Sequence, residues 1–342
     1  MTSNVVDDED QPNDRSLTPY NDLTPERILA AVESLGMRCD GRLLALNSYE
    51  NRVYQVGIED AAPVIVKFYR PGRWSDACIL EEHRFTFQLA ENEIPAVPPL
   101  RDHHGESLHK FETFRFSVYP RRGGRAPELG DDETLTWLGR FIGRIHGVGR
   151  SEVFKLRPRL SVELLGEQPL RYLIEHEFIP KDLIPAFQSV AESVLSGVRQ
   201  CFEATGDVEL LRLHGDCHPG NVLWTESGPL FVDFDDCMTG PAIQDLWMLL
   251  SGSREEMAAQ MGHVLDGYEE FTDFNYSELR LIEALRSLRM IHYAGWLAKR
   301  WRDPAFPMHF PWFNTQRYWQ DQVLALREQL AALQEPPLSL RH

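Results

Sequence analysis

The chain has 342 residues, of which 43% are hydrophobic and 25% are charged. This is ordinary globular composition, and the length is sufficient for about two domains, so a fibrous or wholly disordered chain is excluded. The formal net charge of −17 repels polyanions. We therefore expect neither nucleic acid nor an anionic membrane surface as a partner.

The sequence carries no apolar run approaching the roughly 20 residues that span a bilayer. Its first 20 residues are acidic and polar and lack the basic-then-apolar order of a signal peptide. The five cysteines are an odd number without CxxC spacing, which favours free thiols over a disulfide framework. We expect a monomeric cytoplasmic protein with a flexible acidic tail over residues 1–21.

Residues 22–119 are predicted to form a small β-rich lobe. A helix is expected to begin at Thr24, a favoured N-cap residue that is followed by Pro25. A second helix is predicted over 75–91, ending before a proline-rich segment. The strand-like runs of this lobe are 43–46, 53–56, 64–69 and 114–119.

Residues 120–342 are predicted to form a larger, mostly helical lobe, joined to the first by a hinge near 117–124. A β-rich island at 210–236 interrupts the helices. Together the two lobes predict an α+β fold. The helical periodicity is strongest at 134–147, 185–205, 278–301 and 314–333.

The β-rich island concentrates the polar residues that could carry chemistry. An apolar strand leads to His214 and Asp216, a turn rich in Pro and Gly leads to Asn221, and the end of the next strand carries Asp233. Phosphoryl transfer from a metal-bound nucleotide needs one carboxylate to orient the attacking hydroxyl and accept its proton. It also needs oxygen ligands that hold Mg²⁺ on the phosphates. Asp216, Asn221 and Asp233 supply these three groups.

The triphosphate also needs a cation, and Lys67 near the end of a strand in the small lobe can supply it. A carboxylate partner would fix this lysine, and the following helix offers Glu81 and Glu82. We prefer Glu82 because it stands two helical turns before Leu89, on the face predicted to pack.

The spacing Asp216-x4-Asn221, followed by Asp233, resembles the catalytic loop and metal-binding strand of protein-kinase-like phosphotransferases. The pattern His-Gly-Asp-x-His-x-Gly-Asn over 214–221 resembles the aminoglycoside phosphotransferase and choline kinase branch. Five segments together resemble the bacterial stress response kinase A family, and the resemblance covers about residues 22–335. These segments are 47–55, 66–71, 79–83, 214–218 and 304–313.

The resemblance implies a two-lobed protein-kinase-like fold and transfer of phosphate from ATP, with Mg²⁺, to Ser/Thr of a protein in a stress response. Asp216 would be the proton acceptor, and Asn221 and Asp233 the metal ligands. Lys67 would meet the α- and β-phosphates. The other implied positions are Ser48 at the nucleotide, the backbone of Ser117, Val118 and Tyr119 at the adenine, and Asp245 as a brace for the catalytic loop.

Two departures from the kinase pattern matter. The loop over 47–52, which should cover the phosphates, lacks glycine, so side chains such as Ser48 and Asn51 would have to take part. Asp233-Phe234-Asp235 stands where kinases have Asp-Phe-Gly, and no activation segment follows. Regulation by an activation-loop phosphate is therefore not expected.

Several alternatives remain open. A small-molecule kinase acting on an amino alcohol, sugar or aminoglycoside would suit the acidic helical lobe, and a non-catalytic nucleotide-binding scaffold is a second alternative. His214, Asp216 and His218 alternate as zinc ligands could, but we prefer His214 as a buried structural support because Pro219 breaks the strand. Four glycines spaced through 139–149 imitate a phosphate loop, yet their spacing favours close helix packing.

Overall fold

A five-stranded antiparallel sheet forms the centre of the N-terminal lobe in the computed structural model, which describes residues 18–340. Most of the predicted acidic tail, residues 1–17, lies outside the described residues. The strands are β1 (Cys39–Leu46), β2 (Arg52–Ile58), β3 (Val64–Phe68), β4 (His109–Phe111) and β5 (Phe114–Pro120). They lie in the order β1-β2-β3-β5-β4. The predicted strands are confirmed, whereas the three-residue β4 was not predicted.

Alternation along β3 and β5 separates a core face from a functional face. Val66 and Phe68 pair with Val118 and Phe116, and all four side chains are buried. The helix α1 (Pro25–Glu33) contributes Ile28 and Val32 to the same apolar cluster and begins at Thr24 as predicted. Because successive side chains of a strand point to opposite faces, Lys67 lies on the other face. That face meets the second helix, α2 (Asp76–Glu91).

The C-terminal lobe is built from helices around two apolar clusters. All four predicted helices are present, although the one predicted to begin at 278 starts with a 3₁₀ turn over Tyr276–Leu281. The helices are α3 (Asp132–Gly149), α4 (Gln168–Glu175), α5 (Ile184–Thr205), α6 (Arg254–Tyr268), α7 (Ile282–Arg300), α8 (Ala305–His309) and α9 (Gln316–Ala332). Within residues 18–340, no helix has the length and apolar character needed to cross a membrane.

The predicted β-rich island consists of two small antiparallel pairs. They are β6 (Leu211–Leu213) with β9 (Met238–Gly240), and the hairpin β7 (Val222–Thr225) with β8 (Gly228–Phe231). The backbone N–H of Phe231 donates to Pro95 at 2.7 Å, and that of Trp224 donates to Arg125 at 2.6 Å. These bonds attach the island to the segment after α2 and to the segment after β5, so both lobes meet at the island.

Two glycines of α3 allow close contact with α6. A Cβ added at Gly139 would lie 1.9 Å from the carbonyl oxygen of Val264, and one at Gly143 would lie 2.7 Å from that of Tyr268. The interpretation of these glycines as packing residues is therefore confirmed for both positions. At Gly147, by contrast, an added Cβ meets nothing within 4 Å.

This difference makes a stability prediction with an internal control. Gly139→Ala should destabilise the fold by ~1–3 kcal/mol or more, because α6 backbone would have to move. Gly147→Ala should instead stabilise it by about 0.5–1 kcal/mol, because alanine restricts the unfolded chain and favours helix. Chemical denaturation of both variants measures the difference. Equal effects of the two substitutions would refute the close helix contact.

Candidate active site

The turn between β6 and β7 holds Asp216 and Asn221. Gly215 before it has φ of +87°, and a Cβ there would lie 2.1 Å from the carbonyl oxygen of Asp236, so only glycine fits. The amide Nδ2 of Asn221 donates to the backbone carbonyl of Asp216 at 2.9 Å. This bond commits the nitrogen of Asn221 to the turn, which leaves its Oδ1 as the atom available to a metal.

A buried carboxylate holds the backbone of this turn. Asp245 accepts the N–H groups of His214 at 2.7 Å and of Gly215 at 2.8 Å, and His146 Nε2 lies 3.1 Å from it. The buried His214 ring in turn places its Nε2 2.9 Å from the carbonyl oxygen of Val232. Both side chains therefore contact backbone at the site and fix its shape.

Lys67 and Asp233 meet although 166 residues separate them. Lys67 Nζ lies 2.8 Å from Asp233 Oδ1 and 3.4 Å from Asp235 Oδ1. Asp233 has φ of 59°, a left-handed conformation that Asp adopts more readily than most residues, and its side chain is 53% exposed. Burial would lower the pKa of Lys67, but Asp233 and Asp235 outweigh it and raise the pKa well above its ordinary value. The ammonium is thus a fixed cation beside an accessible carboxylate.

The two candidate partners of Lys67 on α2 point in different directions. Glu82 Oε1 lies 4.0 Å from Lys67 Nζ and the side chain is buried. Glu81 instead accepts the backbone N–H groups of the segment after α3, at Lys155, Leu156 and Arg157. Burial raises the pKa of Glu82 from 4.5 to about 7, against the opposing effect of Lys67. Glu82 is therefore the α2 carboxylate that faces the lysine.

The loop over 47–52 is fastened to the C-terminal lobe by its side chains. Asn51 is 4% exposed, and its Nδ2 donates to Asp235 at 3.0 Å while its Oδ1 accepts the backbone N–H of Arg70 at 3.1 Å. The Ser48 hydroxyl donates to the backbone carbonyl of Asn51 at 3.2 Å. Asn51 thus joins the loop to Asp235 with one of the two N–H groups of its amide. Its contact with a phosphate stays a prediction.

The segment predicted to meet adenine runs along β5. The Ser117 side chain is fully buried and donates to the carbonyl of Ser107 at 2.7 Å. The carbonyl of Val118 accepts the N–H of Leu100 at 2.6 Å, and Tyr119 pairs with Ile65 of β3. The adenine contact of this backbone stays a prediction.

Glu50 forms a second connection between the lobes that the sequence did not reveal. Its carboxylate pairs with Arg70 at 3.1 Å and with Arg300, and it accepts the indole N–H of Trp296 at 2.6 Å. Arg73 approaches the same carboxylate at 3.9 Å and also pairs with Asp235 and Asp236. The Glu50 side chain is only 12% exposed. A buried carboxylate among three guanidinium groups therefore ties the loop to α7.

Glu50→Ala should destabilise the protein by ~3–5 kcal/mol, because it leaves the buried guanidinium of Arg300 without its carboxylate partner and removes one partner each from Arg70 and Arg73. Glu59→Ala provides the matched control, since Glu59 pairs with Arg38 at 3.5 Å and both side chains are largely exposed. That control should change stability by less than about 0.5 kcal/mol. Thermal unfolding of both variants makes the comparison, and a Glu50 variant as stable as the Glu59 variant would contradict the role of this cluster.

Asp216 itself is already paired in this structure. Arg289 Nη1 lies 2.6 Å from its Oδ1, and His218 Nε2 lies 3.4 Å from its Oδ2. Burial would raise the pKa of Asp216, but His218 and Arg289 outweigh it and hold the pKa well below its ordinary value. Arg289 stands 73 residues from Asp216 on α7, and no local pattern in the sequence marks it.

The donors near Asp233 fit Mg²⁺ better than zinc. Mg²⁺ takes few protein oxygens and completes its shell with phosphate and water, and the Oδ1 of Asn221 and the exposed carboxylate of Asp233 match that requirement. Across residues 18–340 there is no group of three or more His, Cys, Asp or Glu side chains that could hold a metal ion. At the residues of the zinc alternative, the Nε2 of His214 is turned to the carbonyl oxygen of Val232 at 2.9 Å, which agrees with the preferred structural role of this histidine.

Comparison with known proteins agrees with this geometry. A family model described as the phosphotransferase enzyme family matches residues 42–282. Stress response kinase A of Salmonella choleraesuis is 43% identical over 328 residues, which covers 96% of this chain and 98% of that protein. The serine/threonine protein kinase RdoA of Salmonella typhimurium is 42% identical over the same shares of the two chains.

Solved structures show the same fold at low sequence identity. The amicoumacin kinase hAmiN, in complex with AMP-PNP, Ca²⁺ and Ami, has a TM-score of 0.71 and 19% identity and covers 92% of this chain and 94% of its own. A microcompartment-associated aminopropanol kinase has a TM-score of 0.68 and 15% identity, covering 92% and 99%.

The fold and the site thus define a phosphotransferase with a two-lobed, protein-kinase-like architecture, and the protein is a kinase. More narrowly, the chain belongs to the phosphotransferase enzyme family and, as its sequence indicated, to the stress response kinase A family.

Proposed function

We propose that the protein is an ATP- and Mg²⁺-dependent serine/threonine protein kinase. The observation that supports this most is the meeting of Lys67 with Asp233 at 2.8 Å, beside the turn that carries Asp216 and Asn221. The protein acceptor is supported by the relatives at 42–43% identity, whose names describe a stress response kinase and a serine/threonine protein kinase.

In the proposed reaction the acceptor hydroxyl lies at Asp216. Its oxygen forms a bond to the γ-phosphorus, and the bond from that phosphorus to the β–γ bridging oxygen breaks. The electron pair leaves with ADP, and the hydroxyl proton passes to the Asp216 carboxylate. Lys67 neutralises phosphate charge, and the contacts of Asp245 keep the turn rigid, so positioning and fixed charge lower the barrier.

Asn221 and Asp233 are the residues that would hold the Mg²⁺, and Mg²⁺ bound there would neutralise charge on the phosphates. Asp233 now contacts Lys67, but its carboxylate is more than half exposed, so it would be accessible to the metal as well. Glu82 and Asp235 remain close to Lys67 and keep its ammonium oriented.

A small-molecule kinase is the second candidate. The solved structures that share the fold include an aminopropanol kinase and an amicoumacin kinase, and the net charge of −17 would suit a cationic acceptor. At 15–19% identity these neighbours support the fold alone, whereas one relative at 42% identity is named a serine/threonine protein kinase.

Transfer of the γ-phosphate from labelled ATP separates the two candidates. We expect labelling of Ser/Thr in a protein panel with Mg²⁺, and no comparable turnover of a panel of amino alcohols, sugars and aminoglycosides. Asp216→Ala run in parallel identifies the signal that belongs to this site. Rapid turnover of a metabolite without protein labelling would reverse the assignment.

A further inference from the structure

Both oxygens of the Asp216 carboxylate are engaged before any acceptor binds. Oδ1 pairs with Arg289 at 2.6 Å and Oδ2 faces His218 at 3.4 Å. A carboxylate has about four lone-pair sites, so an acceptor hydroxyl shares Asp216 with these partners or takes the place of one of them. Arg289 is the closer partner and its guanidinium has five N–H donors, while its side chain is 44% exposed. It can therefore bind a further anion from the solvent side.

The basic side chains around Arg289 differ in how they are paired. Arg300 is held by Glu50, and Arg73 by Glu50, Asp235 and Asp236, and both arginine side chains are at most 15% exposed. Arg289 is 44% exposed beside Asp216. Of these three arginines, Arg289 is therefore the one most accessible to an anion from the solvent.

Aromatic side chains on α7 and in the loop over 47–52 lie near Arg289. Tyr293 stacks on Trp296 with ring centroids 5.6 Å apart, and Tyr293 and Tyr49 are each more than a third exposed. Tyr49 also meets the ring of His309 at 5.1 Å. A surface of arginine and aromatic side chains suits a peptide segment, since these residue types are enriched where proteins bind one another.

We propose that Arg289 is a specificity-determining residue that selects acceptor segments with an Asp or Glu side chain next to the Ser or Thr. The carboxylate of the acceptor segment binds the Arg289 guanidinium and draws it from Asp216 Oδ1, which frees that oxygen for the hydroxyl. Because an extended chain advances about 3.3–3.6 Å per residue, the acidic position lies within about two residues of the acceptor. This inference rests on the proposed protein kinase function and adds the charge of the acceptor segment.

The test uses the full-length protein and a Ser/Thr peptide library in which one flanking position at a time is Glu or Gln. We expect wild type to prefer a Glu peptide over its Gln counterpart by about fivefold in kcat/KM, the size of an exposed ion pair. The preference should decrease as salt is added, because the pair is screened. Arg289→Ala should lose the preference, and Arg289→Lys should keep part of it.

Arg317→Ala provides the charge-matched control, because Arg317 is 90% exposed on α9 and pairs with Asp321. It should retain the preference for Glu. Equal use of Glu and Gln peptides by wild type, or an unchanged preference in Arg289→Ala, would overturn the role of Arg289 while leaving the protein kinase function intact. Phosphorylation of metabolites with no peptide labelled would instead overturn the proposed function itself.

Discussion

Replacing Asp216 by alanine is expected to reduce phosphoryl transfer by about 10²–10⁴-fold, the usual contribution of a positioned proton acceptor. ATP binding should persist, because Lys67, Asn221 and Asp233 are unchanged. The comparison is therefore between turnover, measured with labelled ATP, and nucleotide affinity, measured by calorimetry. Asp216→Asn should behave like the alanine variant, since the amide keeps the shape but cannot take the proton.

Glu226→Ala serves as the control for this experiment. Glu226 is an exposed carboxylate in the turn of the β7–β8 hairpin, close in sequence to the site. Its loss should leave turnover at the wild-type level. If the Asp216 variants turned over as fast as the Glu226 variant, the assignment of Asp216 as proton acceptor would be refuted.

Lys67→Met should damage both the fold and the activity. The buried ammonium faces Asp233, Asp235 and Glu82, so its removal leaves the buried carboxylate of Glu82 without its ion-pair partner, takes one cation from Asp235 and costs ~3–5 kcal/mol. The KM for ATP should rise as well, because the phosphates lose their fixed positive charge. Thermal unfolding and ATP kinetics measure the two effects separately, and Lys110→Met, at an exposed position of β4, controls for loss of a lysine from the same sheet.

The stability loss in Lys67→Met should depend on pH in a defined direction. In wild type, burial raises the pKa of Glu82 from 4.5 to about 7. The folded state therefore binds the Glu82 proton more tightly than the unfolded state does. The stability that this proton contributes is complete at low pH and is lost as the pH rises through that interval. Without Lys67 the pKa values of Glu82 and Asp235 rise further. The deficit should therefore be larger near pH ~8 than near pH ~5, and a deficit that grew on acidification would contradict the burial of these carboxylates around Lys67.

The site residues that the sequence could predict are those that belong to short sequence motifs. Asp216 and Asn221 lie five residues apart in one turn, Asp233 follows at the next strand end, and Lys67 is recognisable from an apolar strand. In the structure Lys67 Nζ lies 2.8 Å from Asp233, and the backbone N–H of Val232, next to Asp233, donates to the carbonyl of Asn221 at 3.0 Å. Glu82 could be preferred over Glu81 because helical periodicity distinguishes the two faces of α2, and Glu81 indeed points to the segment after α3.

The remaining parts of the site arise from contacts between distant segments. Glu50 meets Trp296 across 246 residues, and Arg289 meets Asp216 across 73. No spacing or periodicity encodes such pairs, because each depends on how α7 packs beside the loop over 47–52 and the catalytic turn. For the same reason the bond from Asn51 to Asp235, which joins the lobes, could not be predicted.

The missed elements of the fold have identifiable causes. β4 and β9 are three residues each, too short to show alternation, and they form only because a partner strand is present. The helix α6 carried two signals that could have located it. Ser253 and Glu256 form a capping box at its first turn, and buried apolar residues follow at helical spacing at 257, 261, 264, 265 and 268. Local sequence patterns thus predict long, regular elements, whereas the shortest strands depend on pairing with a distant partner strand.

The most direct measurement of the central claim is an experimental structure of the protein with Mg²⁺ and a non-hydrolysable ATP analogue. The account predicts phosphate oxygens within hydrogen-bond distance of Lys67 Nζ, the metal on Asn221 and Asp233, and the γ-phosphate facing Asp216. A nucleotide bound elsewhere, or phosphates that contact neither Lys67 nor a metal held by these two residues, would contradict it.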